Sequence, residues 1–181
     1  MRGRSWLFLL GLLALPACGE DPARSPEAEA PSGAAPATPK TVGYDLRRLR
    51  PVDGQSLEQV VERMRARART DGKQVAMLFS AQWCERCRRL ELELGNLHPP
   101  GDIAHVRILE LVEEDWEKAL RMNEFEALRL RWDSTKGTYP LLVVLDEQGG
   151  KVEEMKEAVE RLEQAGQEAT LAAWFRGLAR S

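Results

Sequence analysis

Seven residues, Gln74-Val75-Ala76-Met77-Leu78-Phe79-Ser80, are almost entirely apolar and run straight into Ala81-Gln82-Trp83-Cys84-Glu85-Arg86-Cys87. An apolar run this short, preceded by the breaker Asp71-Gly72-Lys73, reads as a central strand covered on both faces. From Glu85 the pattern changes to Leu90, Leu92 and Leu94 among charges, ending near Gly95, so a helix follows. Strand, tight turn and helix in this order set Cys84 at a helix N-terminus, where unpaired backbone N–H groups and the positive end of the dipole favour a thiolate. Cys84 is therefore the candidate nucleophile. Cys87, one turn on and more enclosed, is the candidate resolving thiol for a mixed disulfide. Between them Arg86 is expected to stabilise the Cys84 thiolate and Glu85 to oppose it, the two nearly offsetting.

The chain has three cysteines, Cys18, Cys84 and Cys87. A disulfide between Cys84 and Cys87 closes too short a loop to staple a fold, because stabilisation grows with the loop closed. The pair therefore points to reactivity.

The remaining pattern places this unit in an α/β frame. Residues 41–56 start irregularly. Ser56 can cap a helix over Leu57–Arg69, with Leu57, Val60, Val61 and Met64 on one face. Ile103–Val112 reads as a strand, and a helix is expected within Trp116–Trp132. Gly137–Val152 reads as strand, turn, strand, opening on Tyr139-Pro140. Pro140 cannot donate to a ladder and is a candidate cis site. The acidic stretch Glu153–Gln167 has no clear assignment. Thr170 can cap a last helix with Leu171, Trp174, Phe175 and Leu178 as its apolar stripe.

Residues Gln74–Leu90 and Gly137–Val152 resemble the Trp-Cys-x-x-Cys and cis-proline halves of the thioredoxin superfamily. The resemblance is greatest to its bacterial extracytoplasmic branch of thioredoxin-fold lipoproteins and membrane reductase domains. It spans the chain from about Leu57 to Ala179. It implies a single-domain α/β thioredoxin-like fold, a central mixed sheet flanked by helices. It also implies a thiol–disulfide oxidoreductase acting on protein thiols and disulfides, reductase rather than oxidase, with the Cys84–Cys87 pair in place of any cofactor. Carried over by position, Cys84 attacks, Cys87 resolves, Trp83 with Glu85 and Arg86 flanks the site, and Tyr139 with cis Pro140 positions the substrate backbone. Two departures stand out. The family's buried Asp, five residues before the tryptophan, is Leu78 here, which leaves the proton acceptor unidentified. The stretch from Val112 to Gly137 is long and charged, and no Gly-Ile precedes the proline.

The N-terminus reads as an address. Arg2 and Arg4 precede an apolar run from Trp6 to Leu15, followed by Pro16-Ala17-Cys18. This is the order of a signal peptide, expected over residues 1–17. Its 12 residues from Trp6 to Ala17 fall short of the roughly 20 that a membrane-spanning helix needs. Leu15-Pro16-Ala17-Cys18 resembles a lipobox, which implies lipidation of Cys18; ordinary cleavage and an uncleaved anchor are the competing readings. Gly19 suggests outer-membrane sorting by analogy. From Gly19 to Lys40 come five prolines and six alanines, a composition that cannot bury enough surface to order itself. Residues 18–42 are thus expected to be a lipidated, disordered tether, and residues 43–181 the folded domain. The expected location is the periplasmic side of a membrane, as a monomer, with a membrane electron donor as the further partner that reduction requires.

A net charge of −3 with no basic stripe argues against nucleic acid as a partner. Arg63, Arg65, Arg67 and Arg69 read as a solvated helix face. Metal binding is weighed because Cys-x2-Cys-x10-His-x6-His runs from Cys84 to His105, but the spacing misses the usual zinc pattern, so no metal is expected at His98 or His105. Trp116 and Trp132 read as packing residues. The alternative function is a non-catalytic thioredoxin-fold binding or scaffold lipoprotein, since fold does not guarantee turnover.

Overall fold

The computed structural model describes residues 40–133 and 138–179. The signal peptide, Cys18, the tether up to Pro39, and Gly137 lie outside the described residues. Five strands form one mixed sheet: β1 (Asp45–Arg48), β2 (Gln74–Ser80), β3 (Val106–Val112), β4 (Leu141–Leu145) and β5 (Lys151–Glu154), in the order β1-β3-β2-β4-β5. β1, β3 and β2 run parallel, and β4 and β5 antiparallel to their neighbours. Helices cover both faces: α1 (Leu57–Thr70), α2 (Glu85–Leu94), α3 (Pro100–Ile103), α4 (Glu113–Lys118), α5 (Met122–Arg129), α6 (Met155–Gln164) and α7 (Leu171–Leu178). This is a thioredoxin-like fold.

The central strands alternate between two cores. Met77, Phe79, Leu109, Leu111, Leu141 and Val143 face one side with α1 and α5 residues such as Val60, Val61, Phe125 and Leu128. Ala76, Leu78, Ile108, Leu142 and Val144 face the other, against Leu90 and Leu94 of α2 and Trp174 and Phe175 of α7. The near-continuous apolarity of β2, β3 and β4 follows from this double coverage. Helix α1 begins where its cap requires: the Ser56 side chain accepts from Gln59 N–H while the Gln59 side chain accepts from Ser56 N–H.

Two expectations are corrected, and two stretches without an assigned element gain one. Residues 41–56 are not wholly irregular, since they contain β1. Its sequence, Asp-Leu-Arg-Arg, lacks the apolar signal because an edge strand is tied in by charge: Asp45 accepts from Lys73 at 2.6 Å and from Arg107 at 2.9 Å, and Arg107 also pairs with Asp71 at 2.8 Å. Ile103 belongs to α3, not to a strand, because Pro100 starts a helical turn there; β3 begins at Val106. The helix expected within Trp116–Trp132 is two, starting at Glu113 and broken at Leu120. The acidic stretch after Glu153 resolves into the end of β5 and α6, which is anchored by a Glu154–Glu157 capping box.

Leu120 ends α4 in a left-handed conformation, φ 58°. The Leu120 N–H reaches Glu117 O and the Arg121 N–H reaches Trp116 O, both at 2.9 Å, the paired bonds of a Schellman motif. Helices α1 and α6 close with the same two bonds, but there Gly72 and Gly166 occupy the left-handed position. A leucine with 91% exposure gains nothing from burial to offset the strain of its Cβ. Leu120→Gly is expected to stabilise the domain by about 0.5–1 kcal/mol, read as a higher denaturation midpoint at unchanged slope.

Candidate active site

β2 ends at Ser80, buried Ala81 follows, and the Cys84 N–H bonds back to Ala81 O at 3.1 Å to turn the chain. α2 then starts at Glu85 with Cys84 as its N-cap, and Cys84 Sγ accepts from the Cys87 N–H at 3.1 Å. The sulfur thus occupies the place that a capping oxygen takes, where the helix offers its free donors. Cys84 and Cys87 are joined by a disulfide with a Cα–Cα distance of 5.2 Å. Both cysteines are buried, Cys84 at 5% exposure and Cys87 at 1%.

Sheet register brings the second half of the site to the first. β4 pairs antiparallel to β2 with Leu141 opposite Phe79, so Pro140 falls beside the end of β2, where the redox loop begins. The Tyr139–Pro140 peptide is cis. The buried Tyr139 ring meets Trp83 edge-on at 5.6 Å, while Trp83 itself is 62% exposed. Cys84, Trp83, Tyr139 and Pro140 therefore share one rim, with Trp83 forming its exposed wall.

The charges differ from the expected Glu85–Arg86 balance. Glu85 pairs with Arg88 and, at 3.8 Å, with Arg89, and its hydrogen bond with Arg88 holds its carboxyl below the usual range. Arg86 forms no ion pair among the described residues and remains a cation beside Cys84. Across the loop, Trp83 Nε1 donates to Glu113 at 3.0 Å and the Gln82 N–H donates to Glu114 at 2.8 Å. These two carboxylates, at the start of α4, hold the redox loop from the side and were missed in the sequence. The signal was legible: an acidic triplet Glu113-Glu114-Asp115 directly after a strand marks a helix start.

Leu78 faces the core covered by α2. In parallel register its neighbour on β3 is Glu110, a buried carboxyl that accepts from the Ser80 hydroxyl at 3.3 Å. Burial pushes this carboxyl above the usual range, with Arg48 and the Ser80 hydroxyl partly opposing and Glu91 of α2 adding to the rise. Glu91 stands four residues beyond Cys87, one helical turn along the same face. The acid absent from β2 thus has a counterpart on the adjacent strand.

The two histidines are placed apart from the cysteines. His105 Nε2 is hydrogen-bonded to Phe175 O at 2.9 Å, and His98 meets the Tyr44 ring at 5.3 Å. Trp116 is fully buried, and Trp132 packs beside Phe79 while donating to Gly149 O at 3.2 Å. Arg65 is not a freely solvated cation: it pairs with Glu62 and donates to Glu147 O. No described helix is long and apolar enough to cross a membrane.

No family model and no curated protein matches the sequence. Among solved structures the chain is similar to a disulphide isomerase from Xylella fastidiosa Temecula1, at 19% identity and TM-score 0.48, over 72% of this chain and 98% of that one. It is similar also to a thioredoxin h from poplar, at 18% identity and TM-score 0.42, over 67% and 92%. A DsbH oxidoreductase matches at 18% identity and TM-score 0.38, over 68% and 94%. The likeness is one of fold.

The buried Glu110 carboxyl binds its proton more tightly folded than unfolded. Its ionisation therefore opposes folding as pH rises from the unfolded through the folded value, and the opposition is absent below both. Glu110→Gln is expected to be more stable than the parent at pH 7, with the difference closing toward pH 4, by urea unfolding at a series of pH values.

Proposed function

We propose that this chain is a thiol–disulfide oxidoreductase that reduces disulfides of exported proteins through Cys84 and Cys87. The observation that carries the reading is Cys84 Sγ held at the N-terminus of α2, accepting the Cys87 N–H, on one rim with exposed Trp83 and cis Pro140. In the reduced chain, the free N–H groups of α2 and the Arg86 charge favour the Cys84 thiolate over its thiol. The thiolate attacks one sulfur of a substrate disulfide. A Cys84–substrate S–S bond forms, the substrate S–S bond breaks, and the departing substrate thiolate takes a proton. Cys87 then loses its proton and attacks Cys84 Sγ, releasing the second substrate thiol and closing the Cys84–Cys87 disulfide. The substrate gains two electrons and two protons, and the chain, left oxidised, needs a dithiol donor at the membrane to begin again.

Water has little access to Cys87. Glu110 lies opposite Leu78 on the neighbouring strand and accepts from the Ser80 hydroxyl at the end of β2, and it is the group to which we assign the Cys87 proton. A carboxyl held above the usual range is a better base than an ordinary surface carboxylate.

The same reading puts the domain outside the cytoplasm, on a lipid at Cys18 and a tether over residues 18–42. It is supported by the charged, apolar, small-residue order of residues 1–17. Cys18→Ala is expected to abolish labelling by a fatty-acid analogue and to release the protein from the membrane fraction; a membrane-bound, labelled variant would remove the anchor.

Cys87→Ala, expressed in cells, is expected to accumulate mixed disulfides with protein partners, visible as reducible bands that Cys84→Ala lacks. In single-turnover reduction of a protein disulfide by the reduced chain, Glu110→Gln should slow release of the second substrate thiol by roughly 100-fold at pH 7. Absence of both trapped partners and any turnover of protein disulfides would leave the scaffold reading instead.

A further inference from the structure

Arg129 is a fully buried charged side chain, 0% exposed, and the redox chemistry described above makes no use of it. Its helix neighbours on the core side, Phe125 and Leu128, are apolar, and an apolar residue would fill that space without the several kcal/mol that removing a cation from water costs. The cation is compensated within its own helix end: Arg129 pairs with Glu126 at 3.3 Å and with Asp133 at 2.9 Å. The guanidinium also lies over the Tyr139 ring, with Cζ at 5.7 Å from the ring centroid. Tyr139 in turn meets Trp83 at 5.6 Å, and Trp83 is tied to Glu113. Among the described residues the Tyr139 hydroxyl has no hydrogen-bond partner, whereas its ring is held between Arg129 and Trp83.

A guanidinium, a phenol and an indole therefore run in contact from the core to the surface beside Cys84. Tyr139 forms the cis bond with Pro140, so its ring sets where the backbone before the proline lies. We infer that Arg129 is a positioning residue for protein substrates: through Tyr139 it holds the cis-proline segment where an extended substrate backbone is gripped. The inference rests on the oxidoreductase reading. It assigns Arg129 no contact with substrate or with either sulfur.

Such a residue acts on substrates large enough to span Pro140 and spares reagents that meet only Cys84. The full-length chain is assayed with insulin as a protein disulfide, dithiothreitol restoring its dithiol after each turnover, and its purified reduced form with 5,5′-dithiobis(2-nitrobenzoic acid) as a small disulfide in a single turnover. Arg129→Met keeps length and apolar stem while removing charge and plane. It is expected to raise KM for insulin about tenfold, the scale of a small misplacement of a binding group, with kcat, the small-disulfide rate and the Cys84–Cys87 redox equilibrium constant within twofold. Arg129→Lys should recover part of the loss. If unfolding is eased but the insulin KM stays put, Arg129 is structural only and the inference fails. A parallel fall in insulin and small-disulfide rates overturns it too, by locating the effect at Cys84. Should Arg129→Met not fold, the variant that also carries Glu126→Gln and Asp133→Asn removes the charge of the two carboxylates that pair with Arg129 and is read by the same criteria. A parent chain that does not reduce insulin defeats the underlying reading instead, a result distinct from each of these.

Discussion

β2 has no free edge and no free face. It is paired over its length with β3, over five residues with β4, and covered by apolar side chains above and below. A slip of one residue in either pairing would exchange Leu78 with Met77 or Phe79 and turn every side chain to the opposite core. The register is thereby fixed, and with it the point at which the chain leaves the sheet. Ser80 must be the last strand residue, the turn through Ala81 must follow, and α2 must begin at Glu85. The same register settles the cis proline: with Leu141 opposite Phe79, the chain entering β4 passes the mouth of the redox loop at Pro140. Sheet pairing, not the two-residue disulfide ring, is what puts Cys84 where a helix end and a cis peptide meet.

Around that point charge is divided by element. The first turns of α2 carry Arg86, Arg88 and Arg89, of which Arg88 and Arg89 are engaged by Glu85. The start of α4 presents Glu113 and Glu114 toward the loop, each holding one N–H of it. These acids stand at an N-terminus, where carboxylates are favoured, and they use that placement to fix Trp83 and Gln82. The loop is thus braced by negative charge on its flank, while the Cys84 sulfur sits at the N-cap of α2 and accepts from the Cys87 N–H. The Glu113 and Glu114 carboxylates are committed to hydrogen bonds with the loop.

The parts legible in the sequence were those dictated by burial on both faces and by capping chemistry. β2 and β4 are continuous apolar runs, α1 and α7 begin at Ser56 and Thr170, and the Cys84–Cys87 pair stands at a strand-to-helix joint. What escaped was set by partners distant in the chain. β1 is charged because Lys73 and Arg107 hold it, and nothing local to Asp45–Arg48 announces that. The break at Leu120 lacks the glycine that would have signalled it, since a leucine bears the left-handed strain there. Nothing local to Arg129 marks it as different from a surface cation on an amphipathic helix. Only the packing of Tyr139 over it reveals that it is inside.

The missing acid of β2 is instructive for the same reason. A buried carboxyl on the α2 side of the sheet can be offered by either of two strands, because parallel neighbours in register point their side chains to the same face. Leu78 and Glu110 are such neighbours. Placing the acid on β3 moves its backbone one strand away from the redox loop, and the extra methylene of Glu over Asp returns part of that distance. The Ser80 hydroxyl shows which way the carboxyl leans, since Ser80 lies two residues nearer the loop than Leu78 and still reaches Glu110 Oε1. A large side chain at Ser80 would occupy that space. The small residue at the strand end and the acid on the next strand are therefore two halves of one arrangement, each explicable only with the other.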